Sequence, residues 1–326
     1  MRRMSALSTI SETLVLESAA MRSPWAMARR RFRRNIFAVA GMVVLALVLG
    51  ACFGSLPWTL NNYNDQHDLL HVFEEPSWQF VFGTDSLSRD ILTRFLLGGT
   101  ISLAIGLAAA LISVVIGTSV GLLSGYVGGR VDAFLMRLVD ILYGLPYILL
   151  VILMRVVLVP IFTKFLQQLT NNPESSAVAA WANILVLLVG IASVSWLTMA
   201  RVVRGQVLSL REQPFIEACR ALGYTNPRIL LQHILPNLVG PILVYATLTV
   251  PQAILSESFL SFLGLGIQAP LPSWGNMASE GIDALNPVQV RWWLILWPCL
   301  GLSVTLLCLN FVGDGLRDAL DPKSSR

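Results

Sequence analysis

An all-α, polytopic membrane protein with six spanning helices is the fold class this sequence predicts, and three observations predict it. The chain is 55% hydrophobic and only 13% charged, with a mean hydropathy of +0.68, whereas soluble domains carry about 25% charged residues. Six apolar stretches have the length of about 20 residues that a helix needs to cross roughly 30 Å of hydrocarbon, and a helix satisfies its own backbone there. The basic residues are also lopsided. With the N-terminus inside, 18 of the 23 Lys and Arg residues fall on one side, which puts both termini in the cytoplasm by the positive-inside rule.

Residues 1–34 read as a cytoplasmic tail holding eight Arg. An Arg cluster before an apolar run also begins a secretory signal, but this run exceeds the usual core of about 7–15 residues and no A-x-A-like site ends it. It is therefore an uncleaved first span, within 35–58, from Ile36 to Trp58. The polar loop 59–95 lies outside. His67 and His71, four apart, could hold a metal on a helix, yet no third ligand is placed to join them, so the prediction is a solvated loop and no metal site.

A five-helix core, 96–313, follows. Its first span, Leu96 to Ser124, leads into Gly117, Gly121 and Gly125, a stripe without side chains on which another helix can close; glycines merely tolerated in a membrane helix are the alternative. The next, Ile141 to Thr163, is interrupted by Arg155, which must face a bundle interior or reach toward an interface. Ser176 to Ala200, Ile234 to Ser256 and Trp292 to Gly313 complete the set, and 314–326 is a cytoplasmic tail. Cys52, Cys219, Cys299 and Cys308 have no paired spacing, which predicts neither a disulfide nor a metal centre.

Within the core, the cytoplasmic loop 201–236 is punctuated too sharply for a loose connection. Pro214 opens a short helix running through Phe215 to Leu222, and Gly223 offers the φ > 0 exit of a helix end. Asn226 suits an N-cap, Pro227 the first helical position, and Pro236 closes the run. Two short helices joined by a tight turn make a rigid knob, a shape suited to docking another protein.

The order Glu217-Ala218-Cys219, three residues, Gly223 and later Leu235-Pro236 resembles the EAA loop of bacterial ABC importer permeases. Cys219 stands where a second Ala is usual and His233 where Ile is usual. Phe82-Gly83-Thr84-Asp85 with Arg89-Asp90-Ile91, Gly125-Tyr126, Leu260 to Gly266, Ser273-Trp274-Gly275 and Gly313 to Pro322 are similar to the oligopeptide/dipeptide/nickel importer permeases, the second of the two subunits. That likeness runs from about residue 80 to the C-terminus; the N-terminal tail and 61–79 carry no such motif.

The resemblance implies a type I ABC importer permease-like fold in the bacterial cytoplasmic membrane, with a coupling-helix loop in which Glu217, Ala218, Gly223, Leu235 and Pro236 meet the ATPase. It implies a second homologous permease subunit, two cytoplasmic ATPase subunits and an external substrate-binding protein as partners. Peptides or a related small solute, nickel included, would cross by alternating access.

The chemistry legible in the residues agrees with a conduit. Lys164 and Lys323 follow Thr163 and Pro322, so no G-x-x-x-x-G-K-[ST] phosphate loop exists. His233 is the sole histidine outside 61–79, which leaves Ser-His and Cys-His catalysis unsupported. The expectation is a transport subunit without cofactors, with ATP hydrolysed elsewhere. The net charge of +4 reflects membrane topology, with no nucleic-acid surface.

A secondary transporter driven by an ion gradient is the competing class, but it would carry several intramembrane ionisable residues. The spans hold only Arg155 and, at the outer end of the fifth, Glu257. Two readings of Glu257 are open, a place on the translocation path or a solvated position at the interface. Asp85 and Arg89-Asp90 are read as capping a short interfacial helix. Trp274, Trp292, Trp293 and Trp297 are read as an aromatic belt. Asp314, Arg317, Asp318 and Asp321 are read as a solvated cytoplasmic end; a pairing with the 201–211 arginines is open and nothing in the sequence shows it.

Overall fold

The computed structural model describes residues 24–68, 71–170, 176–285 and 289–320. Among these the helices are α1 (Pro24–Arg34), α2 (Ile36–Gly54), α3 (Leu56–Asn62), α4 (Ile91–Val127), α5 (Gly129–Gly144) and α6 (Tyr147–Thr170). They continue with α7 (Ser176–Arg211), α8 (Pro214–Ala221), α9 (Asn226–Ile229), α10 (Leu235–Phe262), α11 (Trp274–Asp283) and α12 (Trp293–Leu320). Among the described residues, six helices are long and apolar enough to span a membrane: α2, α4, α6, α7, the continuous run from α9 through α10, and α12.

The glycine stripe sets the central packing. A Cβ at Gly117 would meet that of Met199 at 2.6 Å, one at Gly121 the Ala200 carbonyl at 2.6 Å, and one at Gly125 the Val207 Cβ at 2.8 Å. The matching order of these contacts shows α4 and α7 lying parallel, so close that only glycine fits. The hydroxyl of Ser113 adds a bond to the Ser195 carbonyl at 2.8 Å.

Several helix ends lie away from the positions expected from hydropathy. The first span stops at Gly54, where Ser55 separates it from α3. The third begins at Tyr147, since Pro146 disfavours helical geometry at Leu145, which is extended at ψ 133°. The fourth continues to Arg211, with Arg201 and Arg204 paired to α5 and Arg211 bonded to the end of α4. The sixth runs to Leu320, so Asp314, Arg317 and Asp318 are helical.

The largest departure concerns Pro236, which closes nothing. Thr225 rather than Asn226 occupies the N-cap of α9, and the chain passes through a π-helical turn, Leu230–Ile234, straight into α10. Proline lacks an N–H and its ring crowds the preceding turn. The widened turn, with Leu235 N–H bonded to the Leu230 carbonyl, absorbs that crowding. The second helix of the knob is thus the leading end of the fifth span.

Candidate functional site

The knob is built on α8. Its buried side chains are Ile216 and Cys219, three apart, and they join Ile229, Ile234 and Leu238 against Leu122, Met199, Val203 and Val207 of α4 and α7. Cys219 behaves there as a small apolar residue on the buried face. The opposite face is open: Glu217, Ala218 and Arg220 are exposed, as are Phe215 and Leu222.

The turn after α8 is a Schellman motif. Gly223, at φ +77°, donates its N–H to the Arg220 carbonyl at 3.0 Å, and Tyr224 donates to the Cys219 carbonyl at 3.1 Å. No atom lies within 4 Å of a Cβ built at Gly223, so backbone conformation alone demands glycine there. The Tyr224 ring is held between the Arg228 guanidinium, 4.5 Å from its centre, and the His233 ring at 5.6 Å. Tyr126 at the end of α4 donates its hydroxyl proton to Asn226 Oδ1 at 2.8 Å. This stack gives His233 a bracing role that an aliphatic residue would not supply.

Among the residues expected to couple, Glu217, Ala218 and Gly223 share the exposed surface. Leu235 is half-buried toward the core, and Pro236 is exposed three residues beyond His233. The arginines of α7 find partners on α4 and α5. Arg204 makes two bonds of 2.6 Å to Asp132, Arg201 pairs with Asp140 at 2.7 Å, and Arg211 donates to the Gly125 and Tyr126 carbonyls at 3.2 and 3.4 Å. The Arg204 hydrogen bonds, helped by the Ser124 hydroxyl, hold the Asp132 carboxyl below the usual carboxylate range against a smaller opposing effect of burial.

The opposite end of the molecule is sealed. After α10 the chain turns back, and α11 enters the bundle with Ser273 capping it, its Oγ accepting from Asn276 N. Glu257 is 0% exposed. Ser261 and Ser258 donate to its carboxyl at 2.7 and 3.2 Å, and the hydroxyls of Ser102 and Ser273 lie close by, accepting from Trp274 N and Asn276 N at 3.3 and 3.2 Å. A Cβ at Gly275 would fall 2.1 Å from the Ser258 carbonyl oxygen, and one at Gly266 2.0 Å from Ser261 Oγ. The glycines of these two motifs therefore let the returning chain close over the carboxyl. Sequence reasoning missed Ser102 and Ser273, because no local pattern says that α4 and the returning chain meet at Glu257.

Trp274 and Trp293 are not belt residues. Both are buried, and Trp274 donates its indole N–H to the Phe95 carbonyl at 3.1 Å. Trp297 stacks on Phe82 with ring centres 3.8 Å apart, while Trp292 is exposed. Nor does Asp85 cap a short helix. It accepts from Leu87 N, Arg89 N and Arg89 Nε at 2.8, 3.0 and 2.7 Å, and lies 3.5 Å from Arg94 Nε. Asp90 caps α4 itself. Arg94, 2% exposed, reaches both Glu280 carboxyl oxygens at 3.0 and 2.8 Å, tying α4 to α11. His67 and His71 pack on Phe80 with ring centres 5.1 and 5.5 Å from it. Arg155 binds the Gly266 carbonyl and Asn183 Oδ1, each at 3.2 Å, and so links α6 and α7 to the returning chain.

Residues 117–326 match a family described as "Binding-protein-dependent transport system inner membrane component", and residues 23–76 match "N-terminal TM domain of oligopeptide transport permease C". The likeness thus extends well before residue 80, into a region where no sequence motif pointed to it. The chain is 48% identical to the oligopeptide transport system permease protein OppC of Escherichia coli (strain K12), over 97% of this chain and 96% of that one. It is 40% identical to the dipeptide transport system permease protein DppC of Bacillus subtilis (strain 168), covering 91% and 85%. It is 42% identical to the glutathione transport system permease protein GsiD of Salmonella paratyphi A (strain ATCC 9150 / SARB42), covering 95% and 94%.

The inward facing MetNI methionine ABC transporter shares the fold, with a TM-score of 0.51 over 71% of this chain and 98% of that one, at 21% identity. These likenesses set aside a secondary transporter driven by an ion gradient. The chain belongs to the binding-protein-dependent transport permeases, the multi-pass inner-membrane subunits of ATP-driven importers of the oligopeptide and dipeptide type.

Proposed function

We propose that this chain forms, with a second homologous permease subunit, the path by which peptides or a related small solute enter the cell, and that α8 passes the stroke of two cytoplasmic ATPase subunits to the spans. Both termini and the knob are cytoplasmic in this reading, and an external binding protein delivers the solute. The carrying observation is the knob itself: Ile216 and Cys219 fasten α8 to the ends of α4 and α7 while Glu217, Ala218, Phe215 and Leu222 remain open. A fastened helix with a free outer face transmits a push that a flexible loop would dissipate. Peptides lead over nickel because the relatives are named for oligopeptides, dipeptides and glutathione.

Gly223→Val tests the coupling. A β-branched residue at φ +77° costs on the order of 1–3 kcal/mol and skews the turn. Membrane insertion and pairing with the second permease should survive, while ATPase co-isolation and peptide uptake fall together. Glu217→Lys, at an exposed position, should change stability by less than about 0.5 kcal/mol and still reduce both. Normal uptake in either variant would refute the coupling role. Reporter fusions after residues 130, 220 and 320 should read inside, and those after 70 and 280 outside; an inside signal at 280 would refute the topology.

Glu257 takes part at the path in a state where the serine nest opens, because a carboxyl sealed at 0% exposure touches no solute. Glu257→Gln should then lower uptake with normal insertion, and unchanged uptake would remove Glu257 from the path.

A further inference from the structure

The helix before the first span presents an arginine face that neither the fold nor the coupling mechanism uses. α1 is Pro24–Arg34, and Arg29, Arg30, Arg33 and Arg34 are all exposed. At 3.6 residues per turn these four cover an arc of about 140°. Ala28 is buried and Arg31 and Phe32 half-buried on the other side, where α1 packs against α12 and Phe32 comes 3.3 Å from a Cβ built at Gly315. The helix is thus clamped by one face and charged on the other.

That charge is uncompensated within the described residues. Arg29, Arg30, Arg33 and Arg34 take part in none of the ion pairs or hydrogen bonds found there, and their arms frame an open recess of about 620 Å³. Like charges at i and i+4 repel along a helix, and 29/33 and 30/34 are two such pairs. α1 contains no acidic residue of its own. A face of this kind is stable against a surface that supplies anions.

Its position says which surface. Only Asn35 separates Arg34 from Ile36, and the Asn35 side chain caps α2 by accepting from Ala38 N at 3.2 Å. The arginines therefore stand at the first turn of a span, at the depth of the lipid headgroups rather than out in solvent. We propose that this face is a binding site for anionic phospholipid headgroups of the leaflet at which α1 lies, holding α1 flat on the membrane while Ala28 and Phe32 brace α12. The occupant is a lipid phosphate surface, because the guanidinium fork matches phosphate geometry and juxtamembrane basic clusters are drawn to anionic leaflets.

The test uses the full chain purified in detergent, with phosphatidylglycerol and phosphatidylcholine as probes and retained lipid read by native mass spectrometry. The wild-type chain should favour phosphatidylglycerol by about tenfold at low salt and lose most of that preference at high salt. R29Q/R30Q/R33Q/R34Q should reduce the preference to less than about twofold, and the corresponding four-lysine variant should restore most of it. A reporter fusion after residue 320 checks that the glutamine variant inserts in the wild-type orientation. If it does not, R29Q/R33Q and R30Q/R34Q replace it, each expected to lose about half of the preference on a logarithmic scale. An unchanged preference in the glutamine variants would overturn the proposal. So would equal displacement by millimolar inorganic phosphate, which would mean a free-anion site, or lost ATPase co-isolation with lipid preference intact, which would mean a protein-docking face.

Discussion

The two ends of this permease are held by opposite means. At the knob, an apolar cluster of Ile216, Cys219, Ile229 and Ile234 fastens a helix whose other face is open, and the nearby ion pairs are partly wet, with Arg201 and Asp140 side chains 42% and 63% exposed. At the far end the fastening is polar and mostly buried, with Glu257 and Arg94 at 0% and 2% exposure, although the Glu280 carboxyl that Arg94 meets is 42% exposed. Glu257 lies under four serine hydroxyls, and Arg94 joins Asp85 to Glu280 across α4 and α11. The difference teaches how each end can move. Apolar contacts are non-directional and carry a small element as one body, whereas a buried polar network holds one arrangement and loses heavily when any member leaves.

The glycines give the widest contrast. Gly275→Ala places a methyl 2.1 Å from a backbone carbonyl oxygen and should destabilise the protein by about 3 kcal/mol or more through overpacking, read as lost thermal stability in detergent. Gly223→Ala meets no atom within 4 Å at φ +77° and should cost about 1 kcal/mol, a backbone effect. Equal losses would break the comparison.

Arg94→Met should come next, at about 2–3 kcal/mol, since Asp85 keeps Arg89 and Glu280 is 42% exposed, which softens the penalty of a broken buried pair. Its mark would be increased protease sensitivity around α11 with the knob unaffected. Glu257→Leu strands the Ser258 and Ser261 hydroxyls and should lower stability by about 1–3 kcal/mol; Glu257→Gln, which preserves hydrogen bonding, should lose much less. Similar losses for the two would mean that the nest contributes no polar stabilisation.

The smallest effect belongs to Asp132→Asn, under about 1 kcal/mol because Arg204 is 33% exposed. The sign of its pH dependence follows from a carboxyl held below its ordinary range. The pair contributes above the unfolded-state pKa and its contribution is lost as pH falls through the lower folded value. Acid thermal scans should show wild type converging on Asp132→Asn only below the usual carboxylate range.

Much of this architecture was legible because hydrocarbon is an unforgiving solvent. Six spans, the glycine stripe at 117, 121 and 125, and the Gly223 turn each follow from local rules about backbone satisfaction, close approach and φ sign. Pro236 was misleading for an equally local reason. Proline reads as a helix stop, yet a π-helical turn at Leu230–Ile234 carries the helix through, and only neighbours packed around it hold a turn in that geometry. Trp274 misled because hydropathy places a tryptophan near a span end and says nothing of whether the chain then folds back inward.

By itself, then, the sequence determined which segments cross the membrane, where α8 ends, and that a polar knob is wedged between two spans, since composition, caps and periodicity act within a few residues. The tertiary structure alone decided what closes over Glu257 and what Arg94, Arg155 and Arg204 bind. Ser102 reaches Glu257 from α4, more than a hundred residues earlier in the chain, and Arg94 meets Glu280 across 186 residues. A carboxyl or guanidinium has no preferred partner in sequence; burial forces one upon it, and packing selects which.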